Sequence, residues 1–186
     1  MNLEKFTERA RGFLQSAQTV AVRMNHQRIA HAHLLKALLE DEQGMASGLI
    51  ARAGGDAAAA NREADELLAK IPAVSGSGAS APPGLDGETL RVLDQAEQVA
   101  QKGGDSYVTV ERMLLALALA KNTDAGKALA DAGVKADALN TAINELRGGR
   151  TADTASAEDR YDALKKLVRD PNQAARVAKL DPVICR

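Results

Sequence analysis

Few side chains in this sequence have the type and spacing that metal or thiol chemistry would need. The histidines are His26, His31 and His33, and the last two stand two residues apart, which places them on different sides of a helix. A zinc site on a helix would want a pair four residues apart together with a carboxylate or thiolate. The single cysteine, Cys185, allows neither an intramolecular disulfide nor a cysteine-based cluster. We therefore expect no metal site.

Catalytic and nucleotide-binding motifs are also missing from the sequence. None of the serines stands in a G-x-S-x-G turn. No G-x-x-x-x-G-K-[ST] loop supplies the backbone amides and the lysine that hold phosphates. The expectation is that these residues are not an enzyme and hold no ATP or Mg²⁺.

Composition favours packed helices that act through their surfaces. Hydrophobic residues make up 45% of the chain but aromatic residues only 2%, so the core must consist of Leu, Ala, Val and Ile. Lys+Arg 24 against Asp+Glu 25 leaves almost no net charge, which argues against nucleic acid or a membrane surface as partner. No run reaches the roughly 18 apolar residues of a membrane span, and the charged start is unlike a secretory signal. We expect a cytoplasmic protein.

The sequence repeats itself at a constant offset of 79 residues. The matches are core-type positions and a helix-ending glycine: Leu14, Ala17, Val20 and Ala21 recur as Leu93, Ala96, Val99 and Ala100, and Ala53-Gly54 recurs as Ala132-Gly133. Constant register over such positions indicates one helical unit that was copied once and fused.

Helical periodicity and cap signals predict about four helices in each copy. In the first copy they cover residues 3–24, 32–40, 45–53 and 57–70. In the second copy Asp86, Thr109 and Thr123 are predicted N-caps of helices that end near residues 102, 120 and 133, and a last helix covers residues 135–147. An exposed, charged helix is expected over residues 157–169.

The predicted fold class is all-α, with two tandem pseudo-twofold helical repeats and a C-terminal linker helix, because nothing alternates with period two for long enough to make a sheet. The expected divisions are a first repeat over 1–71, a linker over 72–84, a second repeat over 85–149, and a linker and helix over 150–186 that leads toward an ATPase module.

Several stretches resemble the Clp amino-terminal repeat family, in the form found at the N-terminus of ClpB-type AAA+ disaggregases. They are LEKFTERARGFLQSAQ (3–18), HLLKALL (33–39), GGDSYVTVERMLL (103–115) and AEDRYDALKK (157–166), and LDPVI (180–184) resembles the segment before the first nucleotide-binding domain. The resemblance implies a non-catalytic, stress-response chaperone domain that weakly binds unfolded or aggregated polypeptides for an attached AAA+ ATPase module, where ATP and Mg²⁺ would bind. Two alternatives stay open: a docking module for folded adaptor proteins, and a truncated fragment with weak holdase activity. The isolated domain is expected to be a monomer.

The sequence departs from the family at a few positions. Cys185 stands where relatives usually carry glycine, and Arg112 stands where some relatives carry an apolar groove residue. Ala30 occupies a helix start where relatives tend to have a capping side chain, which predicts the loss of about 1 kcal/mol.

The resemblance implies three polar positions beside a shallow groove for unfolded chains: Thr7, Asp105 and Glu111. Each has an alternative account, since Thr7 could face solvent, Asp105 suits a turn, and Glu111 would complement a helix dipole. The predicted core stripe of the helix over residues 86–102 is Leu90, Leu93, Ala96, Val99 and Ala100. Val92 lies off that stripe and is the candidate apolar groove residue; the alternative is an ordinary surface valine.

Overall fold

The computed structural model describes residues 2–74 and 81–161. A 3₁₀ turn, Leu3–Lys5, precedes the first helix. The helices of the first copy are α1 Glu8–Arg23, α2 His31–Glu40, α3 Met45–Arg52 and α4 Ala57–Ala69, and those of the second are α5 Gly87–Lys102, α6 Val110–Leu119, α7 Asp124–Asp131 and α8 Ala136–Arg147. The two short strands are β1 Arg28–Ile29 and β2 Gly84–Leu85. The all-α prediction is confirmed. No helix in the described ranges is long and apolar enough to cross a membrane.

Side-chain caps set several of the helix starts. The carboxylate of Asp86 accepts the N–H of Thr89 at 2.8 Å, and the hydroxyl of Thr123 accepts the N–H of Gly126 at 3.0 Å, as predicted. Thr109 holds the N-cap position of α6, but its side chain makes no capping bond. The predicted helix over residues 3–24 is wrong at its start, because Thr7 is extended and caps α1 through the N–H of Ala10.

The two copies pack around a pseudo-twofold axis and share one core. Helix α1 packs on α2 as α5 packs on α6, and across the axis α4 contacts α7 while α3 contacts α8. Gly55 lies against its own counterpart, Val134, so closely that a Cβ on Gly55 would come 2.6 Å from Val134 Cγ2. Buried apolar residues of both copies, from Phe6 to Ile143, form a single cluster.

Short parallel pairings tie the copies together reciprocally. Ile29 of the first copy pairs with Leu85 of the second, and Val108 of the second pairs with Phe6 of the first. At the offset of 79 residues, 6 corresponds to 85 and 29 to 108, so each copy supplies the partner for the other. Two-residue strands are too short for any alternation to signal them in the sequence.

The core-facing side of α5 differs from the prediction. Leu90 is 41% exposed, whereas Val92 is only 2% exposed and joins the core with Leu93. The buried face begins at Thr89, whose single hydroxyl proton is shared between the Asp86 carboxylate at 2.6 Å and Ile29 O at 3.2 Å and ties this face of the helix to the first copy. The expectation that Val92 lies off the core stripe is therefore wrong.

The residues after α8 return across the start of the chain. Ala152 O accepts the N–H of Ser106 at 2.9 Å, and Ala155 O accepts the N–H of Glu8 at 2.8 Å. Residues 157–161 are helical, with Glu158 and Tyr161 buried and Asp159 and Arg160 exposed, so the start of the helix predicted over 157–169 is exposed on one face only. We call residues 151–161 the C-terminal strap. The rest of that helix, and Cys185, lie outside the described residues.

Candidate functional site

A buried cluster of charges lies where α6, α8 and the C-terminal strap meet. Arg147, the last residue of α8, is 2% exposed and donates to Asp105 Oδ1 at 2.7 Å, Glu111 Oε1 at 2.8 Å and Thr109 Oγ1 at 2.9 Å. Arg112 Nε donates to the other oxygen of Asp105 at 2.9 Å. Two carboxylates and two guanidinium groups thus balance one another away from water, the condition under which buried charges are tolerated.

The pairing fixes the ionisation state of the cluster. Burial alone would raise the pKa of Asp105, but hydrogen bonds from Arg147, the backbone N–H of Ala152 and Arg112 outweigh it and bring the pKa below its usual range. Burial alone would lower the pKa of Arg147, and its bonds to Asp105 and Glu111 raise that pKa above its usual value instead. The Arg147 guanidinium also lies 5.3 Å from the ring centre of Tyr161, whose pKa burial raises to about 12.

Thr7 joins the cluster through the C-terminal strap. Its hydroxyl donates to Glu158 Oε2 at 2.5 Å, and the same oxygen accepts the N–H of Val110 at 3.1 Å. Burial raises the pKa of Glu158 in spite of these bonds. The Thr7 hydroxyl thus both donates to the strap and accepts the N–H of Ala10, which caps α1.

The structure brings together three of the predicted site residues and buries all four. Thr7 and Glu111 are 0% exposed, Asp105 is 8% and Val92 is 2% exposed. The solvent-facing alternative for Thr7 and the surface alternative for Val92 are wrong. Val92 belongs to the core and does not line the groove described below. The binding roles of these residues stay predictions, and in this structure they present almost no side-chain surface to a partner.

The first copy holds a neutral version of the same cluster. At the offset of 79 residues, His26 and His33 correspond to Asp105 and Arg112. His33 Nδ1 accepts the N–H of Ala30 at 2.8 Å, so the proton of its neutral ring is on Nε2, which donates to His26 Nδ1 at 2.7 Å. Burial, followed by the neighbouring His26, lowers the pKa of His33 to about 4, and burial also lowers that of His26. The bond from Ala30 satisfies one donor at a helix start that has no capping side chain.

The two copies also differ at the end of their last helix. Leu68 at the end of α4 packs against Val20 and Ala32, whereas its counterpart at the end of α8 is Arg147. Because Arg147 turns toward the carboxylates, Val99, the counterpart of Val20, stays only partly buried. Comparing the copies position by position is the signal that could have found Arg147, which the sequence reasoning missed; Glu158 and Tyr161 had no such signal.

A groove of about 1070 Å³ opens beside the cluster, between the ends of α5 and α6 and the start of α8. Apolar side chains make up much of its lining, which we call the floor, and we call the guanidinium groups of Arg112 and Arg147, which also line it, the wall. The apolar lining residues are Val99, Leu115, Ala118, Leu119, Ala130, Val134 and Ala136. No His, Cys or Ser of the part of the chain that the structure describes lines the groove. The arrangement is suited to holding an apolar segment with polar contacts at the edge.

Comparison with known proteins locates the chain among chaperone N-terminal domains. A family model described as the Clp repeat (R) N-terminal domain matches residues 5–132. Over all 186 residues, the chain is 56% identical to the chaperone protein ClpB of Rhodopseudomonas palustris and 52% identical to that of Agrobacterium fabrum. It spans 21% of the length of each of these two relatives. The crystal structure of the Hsp104 N-terminal domain from Candida albicans superposes with a TM-score of 0.70 at 25% identity, covering 82% of this chain and 98% of that one.

Proposed function

The chain belongs to the Clp repeat N-terminal domain family, and on that premise we propose that it binds exposed apolar segments of unfolded or aggregated proteins for an attached AAA+ motor. The observation that carries the proposal is the groove between α5, α6 and α8, whose floor contains Leu115, Leu119 and Val134. A well-formed groove lined largely by apolar side chains with a few polar groups is the default hypothesis for a binding site. Its relatives are named as ClpB chaperones, which agrees with a client of this kind.

Binding in this groove is expected to be weak. The groove is open, so a bound segment buries a small area, and small interfaces give modest affinity. Weak capture suits the role, because a motor that threads a polypeptide must be able to take it from the domain. No group of three or more His, Cys, Asp or Glu side chains that could hold a metal ion occurs in the described ranges.

The buried polar residues act from behind the groove in this proposal. Asp105 and Glu111 hold the guanidinium groups of Arg112 and Arg147, which form its wall. Thr7 holds Glu158 of the C-terminal strap, which in this proposal leads on toward the attached motor. These residues then affect client handling by fixing the wall and the strap, without touching the client.

The proposal is tested by titrating the ¹⁵N-labelled protein with an unfolded model protein and, separately, with the same protein in its native state. We expect amide shifts at Val99, Leu115 and Val134 with the unfolded protein only. A Leu119→Ser variant should weaken binding severalfold, because it places a hydroxyl in the apolar lining. Leu90→Ser is the matched control, since Leu90 is 41% exposed on α5 and lies outside the groove.

Two results would contradict capture of unfolded chains. One is an absence of shifts in the groove at high concentrations of the unfolded protein. The other is an equal loss of affinity in the Leu119→Ser and Leu90→Ser variants, which would place the contact elsewhere. Displacement of a folded partner that an unfolded chain cannot compete with would favour the alternative role of docking a folded adaptor.

A further inference from the structure

The exposed residues that line the groove, which we call its rim, carry an excess of positive charge. Lys102, Lys121, Lys135 and Arg150 line it and are exposed. Within the described ranges none of these four cations forms an ion pair. They come from different parts of the fold, the end of α5, the segment after α6 and the two ends of α8, so they line the groove from more than one element.

Acidic residues are scarce among the described residues that line the groove. Asp137 is the one carboxylate among these described residues, and it stands in the first turn of α8, where its Oδ1 accepts the N–H of Ala138 at 2.9 Å. Its negative charge therefore complements the start of that helix. The two arginines of the wall are already paired with Asp105 and Glu111 inside the protein. The four exposed cations are left to meet whatever occupies the groove.

We propose that the groove selects apolar segments flanked by aspartate or glutamate over apolar segments flanked by neutral or basic residues. This inference rests on the proposed function and adds the chemical class of the preferred client. The apolar centre of such a segment would lie on Leu115 and Leu119, and its acidic flanks would meet the lysines at the two ends of the groove. The whole chain is almost neutral, so the selectivity arises from local placement of charge.

The test uses three fluorescent peptides with one shared apolar centre and acidic, neutral or basic flanks, titrated with the protein and followed by anisotropy. We expect the acidic peptide to bind about three- to tenfold more tightly than the neutral one, because each exposed ion pair contributes modestly. The basic peptide should bind most weakly. Raising NaCl from about 50 to about 300 mM should remove most of the difference, since exposed charges are screened.

Charge reversal separates selectivity from general attraction. The Lys121→Glu, Lys135→Glu double variant should bind the basic peptide more tightly than the acidic one. Lys127→Glu is the matched control, because Lys127 is exposed on α7 but does not line the groove, and it should leave the order of affinities unchanged.

The possible outcomes distinguish this inference from the proposed function. Equal binding of all three peptides, with Leu119→Ser weakening each, would overturn the charge selectivity and leave the capture of apolar segments intact. Binding of none of the three would overturn both. An equal shift of preference in Lys127→Glu and in the double variant would assign the effect to net charge and overturn the groove as its source.

Discussion

Replacing Arg147 by methionine should be among the most damaging single changes to this domain. Arg147 makes four hydrogen bonds, to Glu111, Asp105 and Thr109, and is 2% exposed. Methionine keeps much of the length and volume of the side chain but has no charge and no donor. The substitution therefore leaves little empty space in the core. The loss of stability comes almost entirely from the carboxylates that lose their partner.

The structure indicates which carboxylate carries that cost. Asp105 keeps Arg112 and the N–H of Ala152 in the variant. Glu111 is 0% exposed, its Oε2 has no hydrogen-bond partner, and its Oε1 is bonded by Arg147 alone among the described contacts. Removing one member of a buried pair costs about 3–5 kcal/mol. Making Glu111 neutral in the same chain, by Glu111→Gln, should restore about 1–3 kcal/mol of the free energy of unfolding.

The assay is urea unfolding at pH 7 followed by circular dichroism at 222 nm, on the original protein, Arg147→Met, Glu111→Gln and the double variant. The four free energies of unfolding form a double-mutant cycle, and we expect the double variant to be more stable than Arg147→Met. The reasoning is refuted if Arg147→Met costs less than about 1 kcal/mol, or if the double variant is no more stable than Arg147→Met.

Two further predictions concern stability. Because the pKa of His33 falls from 6.5 to about 4 on folding, the unfolded chain binds the proton first, and the free energy of unfolding should fall by up to about 3 kcal/mol as the pH drops from about 6.5 to 4. In urea unfolding across this range, His33→Gln should lose this part of the pH dependence. A difference in stability between the two proteins that stays constant with pH would contradict the prediction. Gly126→Ala should lower the free energy of unfolding by about 2 kcal/mol, because its Cβ would clash with Ala120 O, whereas Gly12→Ala in α1, where a Cβ would have nothing within 4 Å, should raise it by about 0.5–1 kcal/mol. Both values are measured by thermal unfolding, and equal effects of the two substitutions would show that the close contact does not decide the result.

The sequence predicts the helices well because their signals are local. Asp86 and Thr123 cap helices where their side chains can reach a backbone N–H three residues on, and the chain needs nothing distant to form that bond. The face that α5 buries is a different matter. Thr89 points inward because it bonds Ile29 O, sixty positions away in the sequence, and no periodicity within the helix carries that information.

The candidate site shows the same division. The family resemblance brings attention to Asp105 and Glu111, but the residue that joins them, Arg147, lies 36 positions beyond Glu111 and reads in the sequence as an ordinary charged helix end. Tyr161 likewise belongs to a stretch whose charges suggest solvent exposure, and it is buried because the chain turns back over α6. Long-range polar contacts decide these positions, and composition and periodicity do not encode them.

The reciprocal pairing of the two copies has a consequence for synthesis on the ribosome. Phe6 is among the first residues to emerge, yet its backbone partner, Val108, follows about a hundred residues later. Ile29 must likewise wait for Leu85. At translation rates of about 5–20 residues per second, the first copy spends several seconds with its edge unpaired and its apolar face incomplete. During that interval, the domain exposes apolar segments of the same kind that we propose it binds in other proteins.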